Sequence, residues 1–445
     1  MRLTARARFA ILQTALVLAA GGPGGSGVDL VLASPQIFTP ETLSRFDVVS
    51  LDPRGTNRSN PVVCSTELML QAPNPIVKSK TEFDKAVAYS KRLRADCRAR
   101  TGPVFDHVDS LSAAADLDAF RAALGEEKLS FWGISYGTLL GQQYAERYPR
   151  RVRAFALDSV IDHTLDTRTF MDTGTWGAQN SFNEFVAWCE RDEACLQHDG
   201  DVRALWNGLM ARADRGELSV PGQPGVPLTP LVLSWTALDH FYSADTWRPF
   251  SELLADLDSG QAAAGRLPSP LAAKSAQDVT PNPFQVFCED FRLPVHGYRD
   301  YDRHLRRLGR IAPDMRYSFL AVFPVFTCLG EPSSIPNPQR ELRVRTDTPL
   351  LVAGTVHDPS TVYPWAVSTA RQLGRSGRLF TYEGWGHMVY GRSPCTTGAI
   401  DAYLVSRTLP ARGARCPAVP PSTGLRNLQK LVSPLPAVPG WTSPF

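Results

Sequence analysis

The segment that most constrains the fold is Gly-Ile-Ser-Tyr-Gly at residues 133–137. It follows an apolar run typical of a buried strand and precedes a run typical of a helix. Because the two glycines have no Cβ atom, the chain can turn sharply here and present Ser135 in a strained position at a sheet edge. The following helix would direct the positive end of its dipole at this serine, where an oxyanion forms during acyl transfer. The segment therefore predicts a nucleophilic serine at a strand-to-helix junction of an α/β protein.

A second glycine-rich segment, Gly-Gly-Pro-Gly-Gly-Ser-Gly at residues 21–27, follows a predicted strand at residues 15–19. With so few side chains, its backbone N–H groups can approach a substrate carbonyl closely. In an acyl-transfer enzyme this loop supplies one donor of the oxyanion hole, which we assign to Gly22, and the N–H of Tyr136 supplies the other. A flexible linker or a phosphate-binding loop is the alternative, but the sequence has neither the Lys-Ser/Thr pair of a P-loop nor the Rossmann spacing.

Five segments in this order resemble the secreted tripeptidyl aminopeptidases of actinomycetes, relatives of the proline iminopeptidases among the α/β-hydrolases. They are Gly-Gly-Pro-Gly-Gly-Ser-Gly at 21–27, Asp-Pro-Arg-Gly at 52–55, Gly-Ile-Ser-Tyr-Gly-Thr at 133–138, Gly-Thr-Val-His-Asp-Pro at 354–359 and Gly-Trp-Gly-His at 384–387. The resemblance extends from residue 15 to about residue 416 and departs in three places. The strand region before the glycine loop is shorter than usual, Ala20 is the residue before the glycines, and Asn57 stands where glycine is usual. It implies a serine exopeptidase that releases a tripeptide or an N-terminal residue through an acyl-enzyme.

A serine is a weak nucleophile unless a histidine takes its proton, and a carboxylate orients that histidine. In α/β-hydrolases the chain order is serine, acid, histidine. Asp358 lies just beyond a predicted strand at residues 348–353, and His387 follows the next predicted strand, at residues 378–382. Catalytic groups gather at the carboxyl ends of parallel strands, so we predict that Ser135, Asp358 and His387 form a catalytic triad.

Two other acids compete with Asp358 for the role of the triad carboxylate. Asp347 precedes its strand and would lie at the wrong end of the sheet, whereas Glu383 adjoins the strand that leads to the histidine. Asp52 and Arg54 follow another predicted strand, at residues 46–51. We expect these two residues to form a structural ion pair that shapes the floor of the site.

The alternation of strand and helix patterns predicts an α/β-hydrolase fold with a mostly parallel, doubly wound sheet. The strand pattern breaks near residue 158 and resumes only at residue 348, and helix-like amphipathic stretches with prolines and aromatics lie between. This predicts a helical cap inserted after strand 6. The predicted boundaries are 1–162 for the first part of the hydrolase core, 163–338 for the cap, 339–416 for the second part of the core and 417–445 for a proline-rich C-terminal arm.

The composition limits the compartment and the partners. Eight cysteines, with no C-x-x-C pair and no histidine at zinc-finger spacing, favour disulfides in an oxidising compartment over a structural metal. Spacing cannot fix the connectivity, but the preferred pairing is sequential: Cys64–Cys97, Cys189–Cys195, Cys288–Cys328 and Cys395–Cys416. The net charge is only +3 and no basic stripe occurs, which argues against nucleic acid as the main partner.

The N-terminal residues resemble a signal peptide, since arginines precede an apolar run too short to span a bilayer. Cleavage after Gly22 would destroy the glycine loop, and cleavage after Ala20 would leave Leu18 where a small residue is preferred. We therefore interpret residues 15–19 as a core strand. For a secreted or cell-envelope protein, this interpretation predicts a true start upstream of Met1.

An aminopeptidase must bind the positive α-amino group of its substrate, which calls for buried carboxylates near the serine. The segment at residues 285–290 places two adjacent acids beside Cys288. In proline iminopeptidases acids from the cap hold the amino terminus, and the resemblance makes Asp290 the preferred contact and Glu289 the second. A solvated helix face is the alternative for this pair.

These observations predict a monomeric serine aminopeptidase whose substrate is a peptide with a free N-terminus. We expect no cofactor, no metal, and neither nucleic acid nor a membrane as a partner. A carboxylesterase of the same fold is the first alternative, because the triad hydrolyses esters as well as amides. A non-catalytic binding protein with a hydrolase fold is the second.

Overall fold

The computed structural model describes residues 14–220, 226–261, 278–332 and 334–421. The leader-like residues before position 14 and the arm residues after position 421 lie outside the described residues. The strands in the described ranges are β1 (Thr14–Ala19), β2 (Phe46–Val49), β3 (Val63–Ser65), β4 (Leu129–Ile134), β5 (Val152–Asp158), β6 (Val279–Pro281), β7 (Leu350–His357), β8 (Gly377–Trp385) and β9 (Arg415–Cys416).

Helices pack on both faces of the sheet. They are α1 (Gly27–Ile37), α2 (Pro40–Leu43), α3 (Thr66–Leu70), α4 (Lys80–Thr101), α5 (Ser110–Ala123), α6 (Gly137–Arg147), α7 (Thr167–Cys189), α8 (Val202–Asp214), α9 (Pro230–His240), α10 (Trp247–Ser259), α11 (Phe284–Asp290), α12 (Tyr298–Ile311), α13 (Phe319–Thr327), α14 (Tyr363–Leu373) and α15 (Pro394–Ser406). None of these helices combines the length and the apolar character that crossing a membrane requires.

Seven strands form one parallel sheet in the order β2-β1-β4-β5-β7-β8-β9. The predicted α/β-hydrolase fold is confirmed. From β1 the chain steps outward to β2 and later returns to β4 on the other side of β1, so the strand order reverses between β1 and β4. Ligands bind at the carboxyl ends of strands beside such a reversal. The glycine loop follows β1 and Ser135 follows β4, which places both segments there.

The burial of the central strands β1 and β4 agrees with their apolar sequences. Every residue of β4 is buried, and β1 is buried from its second residue onward, because helices cover both faces of a parallel sheet. The helix α5 begins where the side chain of Asp109 accepts a hydrogen bond from the backbone N–H of Ser112. The helix α6 begins at Gly137, two residues after Ser135, without a side-chain cap. The N–H groups of Thr138 and Leu139 donate instead to the carbonyls of Ser135 at 2.9 Å and Tyr136 at 3.0 Å, which tightens the turn at the start of the helix.

Helices α7 to α13 and the short strand β6 lie between β5 and β7 in the sequence, in the region predicted to be the cap. In the described sheet four strands precede this insertion rather than six. The domain boundaries stay a prediction.

Residues 63–107 also join this helical region, a contribution that the sequence did not reveal. Strand β3 pairs antiparallel with β6, with Val63 opposite Pro281, and α4 packs against α12 and α13. Strands of three residues carry too little alternation to be recognised from their pattern.

All four predicted disulfides are present: Cys64–Cys97, Cys189–Cys195, Cys288–Cys328 and Cys395–Cys416. Each joins residues within one region of the chain, with separations of 6 to 40 residues. Four disulfides are typical of a protein that works in an oxidising, extracellular environment.

Candidate active site

Ser135 sits at the tight turn between β4 and α6 in a left-handed backbone conformation, with φ of 53°. This conformation is costly for a residue with a side chain, and it persists only where the surroundings hold it. The N–H of Ser135 donates to the carbonyl of Asp158 at 2.9 Å, which fixes the turn to the end of β5. A Cβ atom on Gly137 would lie 2.4 Å from the carbonyl oxygen of Ala19, so the helix can approach β1 this closely only with glycine there.

The glycine loop packs directly on the serine. Ala19 pairs with Gly133 at the carboxyl end of the sheet, and Gly21 follows two residues later. A Cβ atom on Gly21 would lie 2.8 Å from Cβ and 3.3 Å from Oγ of Ser135. The next residue, Gly22, has φ of 118°, a conformation that favours glycine. Of the two predicted oxyanion donors, Gly22 therefore follows the glycine that packs on Ser135, and Tyr136 is the next residue after Ser135 in the chain.

A buried carboxylate fastens the far end of the glycine loop. Asp52 accepts hydrogen bonds from Ser26 Oγ at 2.7 Å and from the backbone N–H of Val28 at 3.2 Å. Burial acts to raise the pKa of Asp52, but the hydrogen bonds from Ser26, Arg58 and Val28 outweigh it and lower the pKa. Asn57, the departure from the family pattern, has φ of 39° and donates from Nδ2 to the carbonyl of Gly24 at 2.8 Å. Asparagine tolerates this conformation and adds a tie to the loop.

The predicted ion pair between Asp52 and Arg54 is wrong. Arg54 instead donates from Nε and Nη2 to both oxygens of Asp116 on α5, each at 2.6 Å. Arg58 takes the place beside Asp52, with Nη1 at 3.4 Å from Oδ2. A planar guanidinium makes two parallel hydrogen bonds where a carboxylate faces it squarely, and the fold presents Asp116 to Arg54 in this way.

Asp358 and His387 meet at the carboxyl ends of β7 and β8. Nδ1–H of His387 donates to Asp358, with Oδ2 at 3.0 Å and Oδ1 at 3.1 Å, and both side chains are fully buried. The carboxylate also accepts the backbone N–H groups of Ser360 at 2.8 Å and Thr361 at 2.9 Å, so the turn after β7 holds it in place. Glu383, one of the rival acids, is paired at the surface with Arg415 at 3.0 Å.

The other ring nitrogen of His387, Nε2, is buried and has no hydrogen-bond partner among the described residues. A buried polar atom of this kind calls for an explanation, and a proton-accepting role supplies one. The backbone N–H of His387 donates to the carbonyl of Tyr242 at 2.9 Å, and the two rings meet edge to face at 4.9 Å between centroids. The insertion therefore contributes directly to the orientation of the imidazole.

Asp158 connects the histidine loop with the serine turn. Its carboxylate accepts the N–H groups of Val389 at 2.7 Å and Tyr390 at 2.9 Å, while its carbonyl accepts the N–H of Ser135. Burial raises the pKa of Asp158, although the two backbone bonds act to lower it. Nothing in the sequence indicated this role, because an aspartate at a strand end has no distinguishing pattern.

The two acids predicted to bind the substrate point in different directions. The Asp290 carboxylate is fully buried and faces the serine turn, where Oδ2 accepts a hydrogen bond from the hydroxyl of Tyr136 at 2.6 Å. Glu289 instead accepts a hydrogen bond from Nη2 of Arg94 on α4 at 2.5 Å. Burial raises the pKa of Asp290 to about 6, although its hydrogen bonds act to lower it. Their contact with a substrate amine stays a prediction.

The fold and the serine turn define an α/β-hydrolase, and comparison with known proteins agrees. The alpha/beta hydrolase fold family model matches residues 14–394, so the chain belongs to this family. It is 30% identical over 435 residues to serine protease Hip1 of Mycobacterium tuberculosis, covering 90% of this chain and 80% of that protein. It is 29% identical over 427 residues to the tripeptidyl aminopeptidase of Streptomyces coelicolor (91% and 76%). It is 31% identical over 427 residues to carboxylesterase B of M. tuberculosis (90% and 79%). The resemblance to tripeptidyl aminopeptidases is thereby confirmed, and the relatives include an esterase as well as peptidases.

Proposed function

We propose that this protein is a secreted serine aminopeptidase that cleaves an amide bond near a free peptide N-terminus through an acyl-enzyme. The observation that carries the proposal is the buried hydrogen-bonded pair of Asp358 and His387, in which Nε2 of His387 has no partner among the described residues. Asp158 binds both the loop that carries His387 and the turn that carries Ser135. This arrangement contains a nucleophile, a base and a carboxylate that orients the base.

In the proposed mechanism the hydroxyl of Ser135 attacks the substrate carbonyl while Nε2 of His387 takes its proton. The negative oxygen of the tetrahedral intermediate accepts hydrogen bonds from the N–H groups of Gly22 and Tyr136. His387 then returns the proton to the leaving amine, and a water molecule hydrolyses the acyl-enzyme by the same steps. Asp358 holds the tautomer with the proton on Nδ1, so that Nε2 is free to act as the base.

The choice of a peptide substrate is supported by the names of two relatives, a serine protease and a tripeptidyl aminopeptidase. The four disulfides support secretion. A carboxylesterase is the second candidate, because a relative of equal similarity is named carboxylesterase B. The two candidates share the triad and differ in the need for a free substrate amine.

The test is a panel of chromogenic mono-, di- and tripeptide substrates, each with a free and with a blocked N-terminus, beside an acyl p-nitrophenyl ester. An aminopeptidase cleaves the free peptides and leaves the blocked ones intact, whereas equal or better turnover of the ester than of any peptide contradicts the proposal. A fluorophosphonate probe should label the wild type and the control Ser406→Ala, whose hydroxyl lies exposed on α15. It should not label Ser135→Ala; labelling of that variant would overturn the assignment of the nucleophile.

A further inference from the structure

Tyr136 is linked to the proposed chemistry by its backbone and to a distant carboxylate by its side chain. Its N–H follows the serine and is the predicted second oxyanion donor, and its hydroxyl donates to Oδ2 of Asp290 at 2.6 Å. Burial and the neighbouring carboxylate raise the pKa of the Tyr136 hydroxyl well above its usual range, so this group remains a donor. The ring of Tyr136 also packs on Phe287, which lies one turn before Asp290 in α11, at 6.1 Å between centroids.

The Asp290 carboxylate has no acceptor position left for a substrate amine. An ionised carboxylate offers about four lone-pair sites. Oδ1 accepts from the N–H of Ser110 at 2.8 Å and from Nδ2 of Asn337 at 2.7 Å. Oδ2 accepts from Ser110 Oγ at 2.7 Å and from Tyr136. Since these four neutral donors occupy the sites, an ammonium group could bind only by breaking bonds that hold α5, α11 and the serine turn together.

The turn beside Tyr136 needs an anchor of this kind. Ser135 occupies a left-handed conformation that its surroundings must impose, and α6 begins there without a side-chain cap. On the side of α6, the buried bond from Tyr136 to Asp290 fixes the ring and therefore the backbone that carries its N–H. An oxyanion donor contributes fully only when it is held in position before the reaction.

We propose that Asp290 is a positioning residue of the oxyanion hole, acting through the hydroxyl of Tyr136, and not a ligand of the substrate's amino group. This inference rests on acyl transfer at Ser135 as proposed above. It is independent of whether the acyl group comes from a peptide or from an ester. Through Asp290, the helix α11 helps to position the oxyanion hole, and residues other than Asp290 bind the α-amino group of a peptide substrate.

The test compares Tyr136→Phe, Asp290→Asn and the double variant with wild type at pH 8. The matched control is Tyr144→Phe, because Tyr144 lies on α6, the helix that Tyr136 precedes, is buried, and donates its hydroxyl to Asp118 at 3.2 Å. Activities are expressed per site titrated with a fluorophosphonate, so that unfolded protein does not count. Each of the two single variants should lower kcat about tenfold, a part of the roughly 10²- to 10³-fold effect of losing a whole donor, and leave KM within about threefold.

The double variant should be no slower than the slower single variant, because both substitutions remove the same bond. Tyr144→Phe should keep kcat within about twofold of wild type. If Asp290→Asn does not fold, Tyr136→Phe alone decides the matter.

Three results would overturn the inference. The first is an unchanged kcat per titrated site in Tyr136→Phe. The second is additive losses in the double variant. The third is a rise in KM in Asp290→Asn for free-amine peptides alone, which would restore the role of substrate ligand. Failure of the wild type to react with the probe would instead refute the proposed function itself.

Discussion

Replacing Gly21 by alanine tests how closely the glycine loop packs against Ser135, the proposed nucleophile. The added methyl carbon would lie 2.8 Å from Cβ of Ser135, and relaxed carbon atoms stay about 3.5 to 4.0 Å apart. The loop and the serine must therefore separate by roughly 1 Å. A displacement of this size at a reacting atom can lower a rate by about 100-fold, which corresponds to about 2.7 kcal/mol of barrier.

The backbone angle φ of Gly21 is not in the left-handed region, so alanine itself is tolerated there and the effect is steric. Overpacking of this kind costs about 1 to 3 kcal/mol in the free energy of unfolding. The control is Gly208→Ala within α8, where a new Cβ atom meets no heavy atom within 4 Å outside its own helix backbone. It should leave kcat unchanged and stabilise the protein by up to about 1 kcal/mol.

The assay is kcat for peptide and ester substrates per titrated active site, with thermal unfolding measured in parallel. We expect kcat of Gly21→Ala to fall about 100-fold on both substrates, since the displacement affects the nucleophile and not substrate selection. If Gly21→Ala retains kcat within about threefold of wild type, the argument from this contact is refuted.

Two further predictions concern buried carboxyl groups. Asp358→Asn should lower kcat by about 10³- to 10⁴-fold with little change in KM, because the amide NH₂ facing Nδ1 would favour the His387 tautomer that carries its proton on Nε2; a loss below tenfold would show that another group orients the ring. Glu331, beside Arg94 with Oε1 3.5 Å from Nη1, has its pKa raised by burial to about 9 from 4.5. The folded protein therefore keeps a proton that the unfolded chain releases, so stability falls as the pH rises through this window. Glutamine does not titrate, so the unfolding free energy of Glu331→Gln should not fall with pH in this way. The difference in unfolding free energy, variant minus wild type, should therefore rise by about 2 to 4 kcal/mol between pH 5 and pH 8. If urea titrations give the same difference in unfolding free energy at pH 5 and at pH 8, the raised pKa of Glu331 is contradicted.

The parts of the site that could be predicted are those built by local backbone chemistry. Ser135 could be predicted as the nucleophile because a strand pattern, two glycines and a helix pattern follow one another between residues 129 and 147. Asp358 and His387 were identifiable because each follows a buried strand, and parallel strands bring their carboxyl ends to one edge. The Asp358–His387 hydrogen bond agrees with that expectation.

The partners of charged side chains could not be read in this way. The sequence places Arg54 two residues from Asp52, yet its guanidinium reaches Asp116 on another helix. Asp290 was predicted to be a substrate ligand, and the hydrogen bonds that it accepts from Ser110, Asn337 and Tyr136 had no counterpart in the sequence pattern. Which acceptor a long side chain contacts depends on distances that are set only by the tertiary fold.

The sequence by itself determined the fold family and led to the proposed nucleophile, acid and histidine, because these predictions depend on short segments with strong backbone preferences. It also allowed the disulfide pairing to be chosen, since each pair joins cysteines that are neighbours in chain order. Only the tertiary structure decided that Asp158 ties the histidine loop to the serine turn and that Asp290 is saturated by protein donors. The bonds from Val389 to Asp158 and from Ser110 and Tyr136 to Asp290 join residues more than 150 positions apart. The packing of helices against the sheet sets their distances.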